Sequence, residues 1–369
     1  MKIPLSRARL RDLGLSCGAL PTGPGNAITD VPGVAVGYYS TVIEDAPWVI
    51  RSGVTAIWPR RGIWTDFMFA GFHSFNGNGE MTGLPWLAEQ GILGAPIGIT
   101  NTFSVGTVRD AVCALAVRAG APQMFHLPVV AETYDGWLSE SETFPITAAH
   151  AFAAFESATD GPLAEGNVGG GTGMICHEFK GGTGTASRLV ASGDENFVVG
   201  ALVQANYGAR EMLRVDGVPV GREIGPTLVP SYRSPPNDPR VRESGSIIVV
   251  LDTDAPLLPI QCQRLARRAA TGLAWAGGFG ANGSGDIFLA FSTANHVRER
   301  EGTSAVRMLA PERMTPLFQA AAEATEEAIL NALTAAETMT GRAGRVAHAL
   351  PLDALAEVMR RYRPAGNTP

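Results

Sequence analysis

The chain has 369 residues, 45% hydrophobic and 17% charged, and 29 basic against 35 acidic residues leave a net charge of −6. This composition describes an ordinary soluble globular protein and excludes a disordered or fibrous one; with no basic stripe interleaved with aromatics it also excludes nucleic acid as a partner. No stretch of roughly 18 apolar residues occurs and the opening MKIPLSRARLRDLG has no apolar core, so the expected protein has no membrane span and is cytoplasmic.

In chain order, strands are predicted at 33–38, 53–58, 96–100, 127–131, 196–205, 246–252 and 286–291. Several are apolar at consecutive positions, which suits strands covered on both faces. Helical periodicity marks 107–119, 146–157, 257–275, 316–338 and 352–361, with Leu258, Cys262, Leu265, Ala269 and Leu273 on one face of the third. The mixture predicts a layered α/β architecture. Residues 208–245, rich in Pro, Gly, Arg and Ser, read as a long loop, and loops of that length are functional or disordered. That loop ends at Ser246, the first residue of one of the most apolar strands.

The 44 glycines gather in motifs, which implies tight turns and close backbone approach. The runs at 77–83, 166–173 and 181–184 read as tight turns near an active site. Cys17, Cys113, Cys176 and Cys262 form no CxxC pair, and six scattered histidines supply no ligand spacing; buried reduced thiols, no metal and no cofactor are expected. His73 and His177 have no recognisable acidic partner and read as structural. Gly278–Gly283 matches GxGxxG but follows a helix and precedes a strand, the reverse of a dinucleotide site. Gly14–Gly18 matches GxSxG without the apolar strand that a nucleophile elbow needs.

The junction Gly245-Ser246 offers more. Glycine can hold its carbonyl in a strained geometry, and the Ser246 hydroxyl can attack that carbonyl in an N-to-O acyl shift. Hydrolysis of the ester would leave Ser246 as a new N-terminus whose amine, of ordinary pKa ~8, can act as base for its own hydroxyl. On spacing alone, a Gly-Ser at a loop-to-strand junction is an ordinary turn.

Seven further segments bear on this junction: Phe75–Gly83, Ile99–Thr102, Val130–Gly136, Glu165–Met174, Phe179–Thr185, Val203–Gly208 and Asn282–Phe288. Together and in this order they resemble the L-aminopeptidase/D-esterase (D-aminopeptidase) and β-peptidyl aminopeptidase family, with similarity running from Asn26 to Asn295. The resemblance implies a four-layer αββα sandwich like that of the N-terminal nucleophile hydrolases but with different connectivity, shared with ornithine-acetyltransferase-like enzymes. It also implies one domain cleaved into a large chain 1–245 and a small chain 246–369, assembled as a homotetramer of cleaved heterodimers.

Carried over by resemblance, Ser246 is the nucleophile and Asn206 the oxyanion donor. Ser284 and Asp286, two apart and so on one strand face, form the pair that orients the nucleophile and its amine. Glu132 receives the substrate's ammonium group, and the Tyr134 hydroxyl serves the reacting centre. The expected substrate is a small peptide, amino acid amide or ester with a free amine. Some β-peptide-cleaving relatives carry Glu at the position of Asp286, so the shorter side chain tilts the expectation toward L- or D-α-amino substrates. The alternatives are a β-peptidyl aminopeptidase, a threonine-dependent ornithine-acetyltransferase-like enzyme, against which Ser246 speaks, and a non-catalytic binding protein retaining the fold.

Overall fold

The computed structural model describes residues 7–44, 47–231, 245–298 and 302–363. Among these, two sheets stand face to face. The first runs in the order β1-β2-β5-β6, from Ala35–Ile43, Ile50–Trp58, Ile97–Asn101 and Val130–Thr133. The second is six-stranded, β4-β3-β12-β11-β10-β9: Ile92–Leu93, Phe67–Gly77, Ser284–Val297, Gly245–Thr253, Glu195–Asn206 and Gly182–Ser192. A hairpin of β7 (Ile175–Cys176) and β8 (Phe179–Lys180) stands apart from both.

Strand β11 shows how the layers are built. Ile248 and Val250 point between the sheets, where they meet Val54, Ala56, Ile99 and Val130. Ile247, Val249 and Leu251 point the other way, into a second core with Leu265, Leu273, Ala324, Ala328 and Leu333. The period-two alternation therefore buries both faces, and this is why the strand reads as a continuous apolar run. Helices α1 (Val105–Arg118) and α2 (Ala148–Glu156) cover the outer face of the first sheet. Helices α3 (Pro259–Ala266), α4 (Ala269–Trp275) and α5 (Thr315–Ala335) cover the second. The result is the expected αββα sandwich.

Several expectations need correction. Strands β3 and β9, eleven residues each, were not expected, and the glycines 182–184 belong to β9 rather than to a turn. A Cβ on Gly184 would lie 2.0 Å from the Ala328 carbonyl oxygen, so the small residues of β9 let α5 lie directly on the sheet. The run 169–173 is a wholly buried 3-10 turn, wedged where a Cβ on Gly170 would meet Gln204 and one on Gly171 would meet Thr183. The helix predicted over 257–275 is two, because Arg268 N bonds to Leu265 O three residues back and tightens the turn between them. The loop predicted over 208–245 holds a 3-10 turn at Arg210–Met212 and a helical turn at Val220–Glu223; its stretch 232–244 lies outside the described residues. Three of the cysteines are buried free thiols, and Cys113 is partly exposed. No helix among the described residues is long and apolar enough to cross a membrane.

Candidate active site

Ser246 and Asn206 end up side by side because β10 and β11 run antiparallel and pair Asn206 directly opposite Ser246. Directly paired residues share a face, with Cβ atoms about 5 Å apart. The alternation that sends Leu202, Ile248 and Val250 between the sheets sends Asn206 and Ser246 there too. Ser246 is 4% exposed.

The Asn206 amide is oriented by its neighbours. Its Oδ1 accepts the Ile175 N–H at 2.9 Å, and its Nδ2 donates to the Tyr134 carbonyl at 2.9 Å. A primary amide carries two N–H donors. One is engaged by Tyr134, which leaves the second to serve a negative oxygen forming beside Ser246.

Gly245 opens β11, paired with Ser284 across the parallel β11–β12 ladder. Its small size matters here, since a Cβ would lie 3.1 Å from Tyr207 Cα.

Ser284 and Asp286 do share a face, and Ser284 Oγ donates to Asp286 Oδ1 at 2.7 Å. It is the face of Phe288 and Ala290, toward the helices, so the pair sits on the opposite side of the sheet from the Ser246 hydroxyl. The carboxylate of Asp286 accepts the Ile247 backbone N–H and lies beside the buried Tyr207. It therefore attends the backbone around Ser246 and not its hydroxyl. Burial pushes Asp286 up to about 6, opposed by the donors Ser284 and Ile247.

Gly285, between that pair, is paired with Ser246 and faces the same side of the sheet. A Cβ there would lie 2.7 Å from Asn78 O and 2.8 Å from Gly79 Cα, so the 78–79 segment roofs the strand at this point. Gly79 in turn joins this roof to Glu132: a Cβ on it would lie 3.1 Å from Glu132 Oε1 and 3.2 Å from Gly285 Cα. Glu132 is 4% exposed, accepts the Glu80 N–H at 3.0 Å, and accepts the Thr102 hydroxyl. Burial raises its pKa above the usual carboxylate range, and no ion pair joins it among the described residues.

Glu132 and Tyr134, two residues apart, do not share an environment. Strand β6 ends at Thr133, so the period-two rule lapses, and Tyr134 is 50% exposed with its ring folded over Gly136. Both histidines are occupied elsewhere. His73 lies against Phe75 and Phe288, and His177 Nδ1 is 2.9 Å from the Ala209 carbonyl. Two contributors to this region escaped the sequence reading. Thr102 carries no sign of its carboxylate partner, whereas Lys180, a lone cation inside an apolar and glycine-rich run, could have been noticed.

Comparison with known proteins agrees with this architecture. The model of peptidase family S58 matches residues 26–347. The chain is 47% identical to the β-peptidyl aminopeptidase BapA of Sphingosinicella microcystinivorans over 96% of its length and 92% of the relative's. It superimposes with a TM-score of 0.90 on a β-aminopeptidase from a Burkholderia species, at 48% identity, covering 98% of this chain and all of the other. The L-aminopeptidase D-Ala-esterase/amidase of Ochrobactrum anthropi, described as a variant of the Ntn hydrolase fold, matches with a TM-score of 0.86, at 44% identity, over 96% of this chain and 98% of the other. Fold and relatives define a hydrolase, a serine-type aminopeptidase. The chain belongs to peptidase family S58.

Proposed function

We propose that the chain cleaves itself between Gly245 and Ser246 and then releases N-terminal residues from small peptides, amides or esters through an acyl intermediate on Ser246. The observation that carries this reading is the pairing of Ser246 with an Asn206 amide whose orientation leaves one N–H donor uncommitted.

In the first reaction the Ser246 hydroxyl adds to the Gly245 carbonyl, the peptide C–N bond breaks, and water hydrolyses the ester. The large chain then ends in the Gly245 carboxylate and the small chain begins with the Ser246 amine. In turnover that amine, in its neutral form, takes the hydroxyl proton as the oxygen attacks the substrate carbonyl. Asn206 donates to the resulting oxyanion, a task in which one donor is worth ~3 kcal/mol. The amine returns the proton to the leaving group, and water releases the acyl group. Asp286, with Ser284 behind it, is placed on the backbone side of Ser246 to hold the new terminus. Glu132 takes the substrate's ammonium, which confines the enzyme to free N-termini, and Tyr134 lines the approach at its surface.

Denaturing electrophoresis and mass spectrometry test the first step: two fragments summing to 38.7 kDa, one beginning at Ser246, and a single intact inert chain for Ser246→Ala. Active enzyme consisting of uncut chain would overturn the proposal. The similarity to β-aminopeptidases at 47–48% identity favours a second reading, β-peptide cleavage. A panel of L-, D- and β3-amino acid p-nitroanilides decides between it and α-amino substrates. A cytoplasmic homotetramer of cleaved heterodimers belongs to the same proposal, and light scattering tests its assembly.

A further inference from the structure

Lys180 is a fully buried lysine whose partners are all backbone carbonyls. Its Nζ donates to Met174 O and Gly181 O, each at 2.9 Å, and lies 3.4 Å from Gly171 O. No carboxylate of the described residues pairs with it. Burial pushes the ammonium down to about 7, while three acceptors pull the other way, because a carbonyl can receive a proton but not supply one. An isolated buried cation is costly, so its placement calls for a reason.

The Met174 carbonyl and the Ile175 N–H are two ends of one peptide group. The oxygen end receives Lys180 Nζ, and the nitrogen end donates to Asn206 Oδ1 at 2.9 Å. Asn206 is itself an amide, so the alignment repeats: its oxygen accepts and its nitrogen donates. Lysine, peptide and carboxamide thus form a head-to-tail series that ends at Asn206, the residue paired across the strands with Ser246. Donors in such a chain polarise one another, and in a low-dielectric interior the gain is larger than in water. The hairpin that carries Ile175 is also held to the adjoining strand end, through His177 N to Tyr207 O at 2.6 Å.

We propose that Lys180 is a positioning residue for catalysis, which fixes and polarises the Asn206 oxyanion donor through the Met174–Ile175 peptide group. This rests on the oxyanion role of Asn206 given above. Lys180 touches no substrate; it acts through two amides.

The test is a double-mutant cycle on cleaved enzyme, with active material counted as the fragment beginning at Ser246. Lys180→Met keeps the length of the side chain and removes its donors. It should lower kcat about tenfold and leave KM within about twofold, a loss confined to the transition state. In an Asn206→Ala background the same change should cost less than about twofold, because the relay then has no end to serve. A tenfold loss in both backgrounds, or no loss in the wild type, would overturn the proposal. Asn206→Ala without effect would remove the oxyanion reading itself, and the relay with it. Should Lys180→Met fail to fold, Ile175→Pro deletes the middle donor, together with the Ile175 side chain that packs with Leu138 and Ala347, and Met174, at φ −89° and ψ 150°, already has the backbone a following proline requires. It should give the same loss and the same non-additivity; wild-type kcat in that variant would refute the relay.

Discussion

Replacing Glu132 by glutamine gives a clean test of how the free amine of a substrate is recognised. The carboxylate is 4% exposed, its described partners are the neutral Glu80 N–H and Thr102 hydroxyl, and burial raises its pKa. A substrate ammonium would be its first counter-charge. Hydrogen bonds to a charged group are worth about 1.5–3 kcal/mol, which corresponds to roughly 10- to 150-fold in affinity at 1.4 kcal/mol per tenfold. Glutamine keeps the volume, can accept from Glu80 N with its oxygen and can donate to Thr102 Oγ, so the fold should survive. The expected result is a KM raised about 10-fold or more for free-amine p-nitroanilides, with kcat changed much less. Rates on N-acetylated analogues, which carry no ammonium, should stay at their wild-type level. Steady-state kinetics on paired free and acetylated substrates read both. An unchanged KM for the free amines would refute the assignment of Glu132.

Gly285→Ala should drive the 78–79 segment off the strand, since the new Cβ would meet Asn78 O at 2.7 Å and Gly79 Cα at 2.8 Å; a loss of kcat/KM of about tenfold or more is expected, and wild-type kinetics would show that the roof does not shape the site. In the uncleavable Ser246→Ala chain, Asp286 at about 6 binds its proton more tightly than in the unfolded chain. Its stabilising contribution is therefore complete below about pH 4 and is lost as pH rises through about 6, on the order of 3 kcal/mol in all. Denaturant titration at pH 4 and 7 should show that this difference vanishes on adding Asp286→Asn, and an identical pH response with and without that change would contradict it. Arg188 is wholly buried between Glu323 and Glu327, at 3.1 and 2.7 Å. Arg188→Met leaves those carboxylates short of a buried partner and should cost about 3–5 kcal/mol in thermal or chemical unfolding; a cost below about 1 kcal/mol would mean that Arg11 and Asn26 suffice for Glu327.

Much of the layer structure was legible because the strands are doubly buried. Val249, Val250 and Leu251 are apolar in succession only because each face of β11 meets a different core. The helices at 107–119 and 316–338 announced themselves by period. Strand β9 did not: its Gly-Thr-Gly-Thr-Ala-Ser run is selected for contact with the alanines of α5, not for β-propensity, and close helix approach reads locally as a turn. Strand β3 mixes aromatics with Gly, His, Ser and Asn, and its register shifts opposite Asp286 and Ile287, so neither a run nor an alternation is clean.

The site divides in the same way. The sequence alone determined the junction Gly245-Ser246 at the head of an apolar strand, and the same-face spacing of Ser284 with Asp286, because both are matters of neighbouring residues and period. Only the tertiary structure decided that Asn206 lies across from Ser246, that Asp286 faces the other side of the sheet, that Gly79 joins Glu132 to the strand beside Ser246, and that Lys180 is linked to Asn206 through the Met174–Ile175 peptide group. Those relations depend on strand register and on how two sheets and a hairpin close on one another. Contacts between residues tens of positions apart are set by packing, and local patterning carries no record of them.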